Sequence, residues 1–500
     1  MNIDDVADFV IVGTGAGGAT AARVLAAAGH DVLLLEEGAL LRTPERPREL
    51  LDAMRLAFRD FATRTTNGTV PLPILQGRCV GGATAVNSGI IWRTPDDVRR
   101  DWKTRLGLRS LVDDAVLDRA FDIVEKELEV ADTTTALLGG NGALMARASE
   151  ALGLPGKAIT RNASRCKGTG ECMQGCPGEA RQSMDVSYIP RAMRDGARLH
   201  TGARVDRVEM EFGRAMGVRG TVVDPATRAE VGKLRVAARR AVIVSASAIQ
   251  TPVILRRSGI KGRVGDGFMA HPGCAVVGRF EDPVGMRYGG TQAYEVPLRA
   301  RRMKLESLSM PPEMLAARLP GVGREWQERC AEMDHYAQWA VQVRMEATGR
   351  VRPTLFGGGS DASISYRPTD RDVATIHEGV VLLCEMMFAA GATEVLPGVA
   401  GFTTSITDPK EIDALAAMKP RLSQFTMVAS HLFGTAGASA DPGQGVVDAD
   451  LRVHGTTGLY VMDASVLPTN MGVNPQHTIM GVCFTAAERL ANAERVNAAA

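Results

Sequence analysis

Within its first forty residues the chain passes from a short strand through a glycine turn into a helix, and few folds accommodate that succession. Asp8-Phe-Val-Ile-Val12 has the apolar, β-branched character of a buried strand. It runs into Gly13-Thr-Gly15-Ala-Gly-Gly18 and then into the alanine-rich stretch 19–28, which favours helix. This is the context that gives a GxGxxG pattern its meaning. Gly13 permits the tight turn, Gly15 lets backbone N–H groups approach a pyrophosphate, and Gly18 lets the helix lie close on the strand. A second strand, Asp31-Val-Leu-Leu-Leu35, ends at Glu36, where a carboxylate can accept both ribose hydroxyls of an adenosine and repels a 2′-phosphate. The turn therefore predicts a Rossmann-like unit for FAD or NAD and does not by itself choose between them.

With 500 residues the chain exceeds one typical core, so two domains, or one with a large insertion, are expected. A net charge of +1 gives no electrostatic footprint for nucleic acid or an acidic membrane. Eight cysteines in this length do not make a disulfide scaffold. No apolar run approaches the twenty residues of a membrane span, and Met1-Asn-Ile-Asp-Asp-Val6 lacks the basic and apolar regions of a signal peptide. A cytoplasmic protein without a membrane span is the expectation.

Further segments narrow the reading. Gly77-Arg-Cys-Val-Gly81-Gly82-Ala-Thr-Ala-Val-Asn87 and Ser247-Ala-Ile-Gln-Thr-Pro252, running on to Ser258-Gly-Ile260, resemble the two signatures of the glucose–methanol–choline (GMC) oxidoreductases. Gly265-Asp-Gly267, His271-Pro272, His431-Leu-Phe-Gly-Thr435, Asp463-Ala-Ser465 and Asn474-Pro-Gln-His-Thr478 follow in that family's order. The resemblance covers residues 6–95, 160–275 and 428–491 and is weak across 276–427. It implies an α/β fold (α+β overall) with a Rossmann-like FAD-binding domain of GMC type. Into this is inserted a substrate domain built on an antiparallel sheet with helices. The expected FAD-binding domain is discontinuous, over 1–95, 185–275 and 428–500, and the substrate domain takes 96–184 and 276–427.

The same resemblance implies FAD, held by Gly13, Gly15, Ala16, Gly18, Glu36, Gly81, Gly82, Asn87, Val205, Asp463, Ala464 and Thr478. The Gly81-Gly82 loop lacks side chains that would keep its N–H groups from the cofactor. Val205 stands where the family holds the adenine through the backbone. Thr478 is expected to start a helix facing the flavin pyrimidine. Some relatives join a His to the flavin covalently at a place that Val86 occupies here, so FAD is expected to be non-covalent.

Oxidising an alcohol requires a proton acceptor beside the hydride acceptor, and imidazole suits that work near neutral pH. The resemblance implies His431 as the base and Asn474 as its partner, an amide that holds the substrate oxygen. His477 either reaches the site or fills space, and His271 is expected to cap or orient a turn, with a place near the flavin as the alternative. The electrons go on to oxygen or another acceptor. A rival on the same scaffold is a lyase with structural FAD, cleaving a cyanohydrin. Nothing in 276–427 announces which small-molecule alcohol is the substrate.

Cys166, Cys172 and Cys176 fall within eleven residues. The spacing resembles that of bacterial FAD-dependent glucose dehydrogenases, which implies an iron–sulfur cluster. A fold-stabilising thiol or disulfide is the alternative, since the spacing matches neither common ferredoxin pattern and no fourth ligand is near.

Elsewhere, 96–160 reads as helical, 203–223 and 234–238 as strands, and 369–390 as a helix. Val341–Met345 and Ala362–Tyr366 are candidate strands over the flavin. The Met-rich run Met303–Met314 is read as core or as the lining of a pocket. Gly357 to Gly359 reads as a loop.

Overall fold

Two sheets, each with its own apolar core, divide the chain in the computed structural model, which describes residues 2–68, 70–354 and 361–499. Side chains of the last helix are described as far as 493, and Gly357 to Gly359 lie outside the described residues.

The first sheet has seven strands. Its centre pairs Ile3–Val12 in parallel with Val32–Leu35 on one side and with Glu230–Val244 on the other. Val32–Leu35 is buried along its whole length, as a strand covered on both faces must be. The fifteen-residue strand Glu230–Val244 does double duty. Its end, Val242 to Val244, pairs in parallel with Leu459–Val461, and its earlier part pairs antiparallel with Arg214–Val223. Leu459–Val461 thus brings the C-terminal region against the N-terminal nucleotide turn.

The helix after that turn, Ala16–Ala27, packs against the first sheet and against the last helix, Gln476–Ala499. Its small residues allow the close approach. A Cβ at Gly17 would lie 1.9 Å from the Met462 carbonyl oxygen, and one at Gly18 would lie 2.1 Å from that of Gly13.

The second sheet has nine strands, paired antiparallel throughout. Its hub is Asp266–Arg279, which pairs with Tyr336–Val343, Gly349–Pro353, Glu394–Leu396 and Met427–Phe433. Met303–Ser307 and Tyr294–Leu298 extend it beyond Tyr336–Val343. The expected domain boundaries at 275 and 428 fall inside two of these strands. Both belong to the second sheet along their whole described length, because the hub must be continuous to carry its neighbours. Ala362–Ser365 and Asp370–Ala389 follow the expected segments, whereas the strand expected at 341–345 runs Tyr336–Val343 and the stretch 203–223 forms two strands, Ala203–Glu211 and Arg214–Val223. Thr369 caps that helix, accepting from the Asp372 N–H. The Met-rich run splits between both readings: Met303 is core, and Met310 and Met314 line a cavity. Among the described residues no helix is long and apolar enough to cross a membrane.

Candidate active site

A cavity of about 790 Å³ lies between the sheets and is lined from both ends of the chain. Gly13, Gly15, Glu36 and Val205 belong to it, and so do Asp463, His431 and Asn474.

At the nucleotide end the wall is mostly main chain. Gly13 has φ +102°, and a Cβ there would meet the Ser245 carbonyl oxygen at 2.2 Å, so the turn admits only glycine. A Cβ on Gly15 would meet nothing within 4 Å, because this residue faces the open cavity at the start of Ala16–Ala27. A helix N-terminus with free N–H groups facing such a space suits an anionic phosphate. Gly18 has another job, packing the helix against the turn. Glu36 lines the cavity and is fixed by Thr14 Oγ1 at 2.6 Å and the Gly38 N–H at 2.9 Å. Burial pushes its carboxyl above the usual range, and those bonds oppose the shift.

Three expected cofactor residues do not line this cavity. The Gly81 N–H is spent on Thr14 Oγ1 at 3.1 Å, which leaves Gly82 as the glycine of that pair facing inward. The Thr478 hydroxyl is bonded to Thr94 at 2.9 Å, and Gly18 is buried beneath the turn. The helix expected at Thr478 begins at Gln476, so Pro475, Gln476 and Ile479 face the cavity in its place. Asn87 is tied to that helix start by an Nδ2 bond to Gln476 Oε1 at 2.7 Å.

Asp463 joins two distant segments. Its carboxylate accepts from Ser247 N, Thr251 Oγ1, Ser465 N and Ser465 Oγ. Ser247 has φ +85°, a strained backbone for a residue with a side chain, and Asp463 holds it there at the cavity wall. Such strain is concentrated where backbone geometry matters for binding.

At the other end the wall is made of side chains. Met427–Phe433 and Asp266–Arg279 pair so that His431 lies opposite His271. Their Nδ1 atoms are 3.2 Å apart, and Asn474 Nδ2 lies 3.4 Å from His431 Nε2. His271 therefore does not orient a turn: it sits in a strand and faces the cavity. Burial, with Lys304 nearby, lowers the His431 pKa to about 3, and burial with His431 beside it lowers that of His271 well below the ordinary value. Both rings are neutral at pH 7. The amide N–H₂ of Asn474 can only donate, so His431 Nε2 is the acceptor and the His431 proton sits on Nδ1. That proton is directed at His271 Nδ1. The arrangement offers the cavity an unprotonated imidazole nitrogen beside an amide donor, which is what accepting a proton from a hydroxyl needs.

His477 points away from this pair. It stacks on Phe121 with ring centroids 4.5 Å apart and bonds Glu125 at 2.9 Å, so it fills space and anchors the last helix.

Sequence reasoning missed Lys304, Glu295 and Glu306, three buried charged side chains behind Asn474. Lys304 Nζ donates to Asn474 Oδ1 at 2.5 Å. A signal was present: Lys304 and Glu306 alternate with Met303 and Leu305, a spacing that puts both on one face of a strand. The Met-rich reading of 303–314 obscured it.

Cys166, Cys172 and Cys176 line a separate cavity of about 20 Å³ with Arg161 and Arg181. Among the described residues no group of His, Cys, Asp or Glu is arranged to hold a metal ion, so the expected iron–sulfur cluster finds no support. All eight cysteines are free thiols, so no disulfide forms here either. Cys172 accepts from Arg161 Nη2 at 3.4 Å, and although burial raises its pKa, Arg161 and Arg181 bring it below the usual thiol range. The guanidinium groups of Arg161 and Arg181 favour the thiolate at Cys172.

Comparison with known proteins fits this geometry. The N-terminal model of the GMC oxidoreductases matches residues 7–273 and the C-terminal model matches 355–483. An uncharacterised GMC-type oxidoreductase of Mycobacterium tuberculosis is 35% identical over 97% of this chain and 75% of its own length. A long-chain-alcohol oxidase of Arabidopsis thaliana is 25% identical over 95% of this chain and 67% of its own. Among solved structures, a formate oxidase of Aspergillus oryzae is similar in fold, with a TM-score of 0.73 over 99% of both chains at 18% identity. The chain belongs to the GMC oxidoreductase family.

Proposed function

We propose that this oxidoreductase is an FAD-dependent enzyme that converts an alcohol to an aldehyde or ketone, with His431 as the base. The observation that carries the reading is the His431–Asn474 pair, facing a cavity whose far end is a glycine-built nucleotide turn. The donor set fits FAD: a helix N-terminus at Gly15 suits the pyrophosphate, the Glu36 carboxylate suits ribose hydroxyls, and Val205 suits the adenine. Val86 lines the cavity and offers no atom for a covalent link, in keeping with non-covalent FAD. Bound FAD supplies the hydride acceptor, at flavin N5.

The protein's own residues handle the proton. A substrate hydroxyl placed between His431 Nε2 and Asn474 Nδ2 donates its proton to the ring nitrogen and accepts from the amide. His271 Nδ1, accepting from His431 Nδ1–H, keeps the ring turned toward the cavity. The new positive charge on His431 is disfavoured by burial, so proton transfer and loss of hydride from carbon are expected to be closely coupled. Electrons then pass to oxygen or another acceptor. The similarity to a long-chain-alcohol oxidase supports the substrate class in its coarse form.

Mixing the purified yellow protein anaerobically with a panel of alcohols tests this. Bleaching of the flavin by an alcohol is expected, and admitting air distinguishes an oxidase from a dehydrogenase. Bound flavin that no alcohol bleaches, with cyanohydrin cleaved at a steady rate, would replace oxidation by lyase chemistry.

A further inference from the structure

Lys304 is 1% exposed, and Glu295 and Glu306 flank it with no exposure at all. Its ammonium group pairs with Glu295 at 3.1 Å and more closely with Glu306. Burial works against its charge, and the two carboxylates more than offset that, holding its pKa above the ordinary lysine range. Three charged groups are costly to bury, and replacing such sets by apolar residues is often neutral or stabilising. Their presence behind the reacting pair calls for a role other than stability.

The strand register gives them one. Lys304 lies opposite Gln342, and Gln342 lies opposite Gly273, on the sheet that roofs the cavity. The ammonium group has only donors, so the Asn474 atom facing it at 2.5 Å must be the carbonyl oxygen. The Asn474 N–H₂ then necessarily faces His431 Nε2, and that nitrogen must present its lone pair. Lys304 thereby decides, through one amide, which nitrogen of His431 is the base.

We propose that Lys304, clamped by Glu295 and Glu306, is a positioning residue that fixes the Asn474 amide and so holds His431 in the tautomer with an unprotonated Nε2. The proposal rests on the alcohol-oxidising reading for its consequence but not for its geometry.

Ring-nitrogen spectra of the oxidised holoenzyme labelled with ¹⁵N-histidine test it, with His431 assigned through His431→Gln. The wild-type protein is expected to show His431 only as the Nδ1–H tautomer. Lys304→Met is expected to show a mixture, because the Asn474 amide is then free to turn over. If that variant does not fold, Lys304→Met/Glu306→Gln removes opposite charges together and is expected to give the same mixture. An unchanged single tautomer in a folded, flavin-loaded variant overturns the proposal. Anaerobic flavin reduction supplies the second readout: the limiting rate is expected to fall about 10²-fold, with alcohol affinity changed far less. Equal losses in rate and affinity would mark Lys304 as merely structural. If no alcohol reduces even the wild-type flavin, the tautomer result still decides this proposal, and only the functional reading fails.

A separate observation bears on the substrate. Glu306 Oε2 accepts from the side-chain amides of Gln292 at 2.5 Å and Gln342 at 2.8 Å, so both amides are fixed by their nitrogen ends. The Oε1 atoms of Gln342 and Gln338 are buried without a hydrogen-bond partner among the described residues, and both side chains line the cavity. Unpaired buried acceptors disfavour an alkyl neighbour and favour a donor. The geometry points to an alcohol carrying a further hydroxyl group that donates to one of these carbonyl oxygens.

Carbon-matched pairs check this in the holoenzyme: butan-1-ol against erythritol, and hexan-1-ol against sorbitol. The polyol is expected to reduce the flavin with an apparent second-order rate constant about tenfold or more above its alkanol. That ratio is expected to fall toward one in Gln342→Met or, if that variant does not fold, in Gln338→Met. An alkanol preference in the wild type, or a ratio unchanged by a folded variant, overturns the inference. If neither alcohol reduces the flavin, titration of the bound-flavin spectrum with sorbitol decides: binding that weakens in the variant sustains it, and no binding overturns it.

Discussion

The two ends of the large cavity are made of different material. Around Gly13 and Gly15 the wall is backbone, shaped by residues whose contribution is to lack a side chain. Around His431 it is side chain, and each functional atom is aimed by another: His431 by Asn474 and His271, Asn474 by Lys304, and Lys304 by two glutamates. Backbone sites tolerate change at the few positions that have room and fail at the rest. Chains of side chains fail by degrees, because each link that is lost loosens the next without removing it.

The sharpest way to separate the two ends is His431→Ala. Flavin reduction by alcohol is expected to slow by about 10²–10⁴-fold on general-base magnitudes, while the protein keeps its full complement of FAD. Stopped-flow absorbance and flavin content measure the two quantities, and loss of FAD in this variant would show that the ends are not independent.

Next in size is the clamp behind Asn474. Lys304→Met strands two buried carboxylates and is expected to cost about 3–5 kcal/mol of stability. Adding Glu306→Gln is expected to recover part of that. Denaturant unfolding of both proteins gives the comparison, and a single variant as stable as wild type would mean the carboxylates are neutral when buried.

The backbone end is tested by neighbouring glycines. Gly17→Val meets the Met462 carbonyl and is expected to destabilise the apoprotein by about 1–3 kcal/mol or more, as overpacking does. Gly15→Val has open space before it, so the apoprotein should melt as wild type does while FAD binds more weakly. Thermal melts with and without FAD distinguish them.

A smaller effect is expected from pH. The folded His431 pKa of about 3 lies below its ordinary 6.5, so the unfolded chain binds the proton more readily between those values. Stability is accordingly expected to fall as pH drops from 6.5 toward 3, and this contribution should disappear in His431→Gln. Urea midpoints across that range, in the two proteins, check the sign. Least affected should be His477→Leu, which loses the Glu125 bond and about 1–2 kcal/mol of stability without changing the rate of flavin reduction.

Much of the backbone end was legible in the chain itself. A glycine turn needs only local geometry, so Gly13, Gly15 and Glu36 could be read from a strand, a turn and a second strand within thirty-odd residues. Thr478 and Gly81 stand a step or two from residues that line the cavity, because a helix start and a turn each offer several adjacent N–H groups and sequence does not say which face it. The expected domain limits at 275 and 428 fall inside strands for another reason: Asp266–Arg279 serves as the hub of the second sheet, and its partners come from four later segments.

By itself the sequence determined the nucleotide turn and the family, and it singled out His431 and Asn474 as the pair proposed to react, because each is a short pattern whose chemistry is local. Only the tertiary structure decided that His271 backs His431, that His477 turns away toward Phe121, and that Lys304 stands behind Asn474. Those relations join residues 160 to 356 positions apart. The His271 and Lys304 relations depend on strand register, and a one-residue slip in register turns a side chain to the opposite face of its sheet.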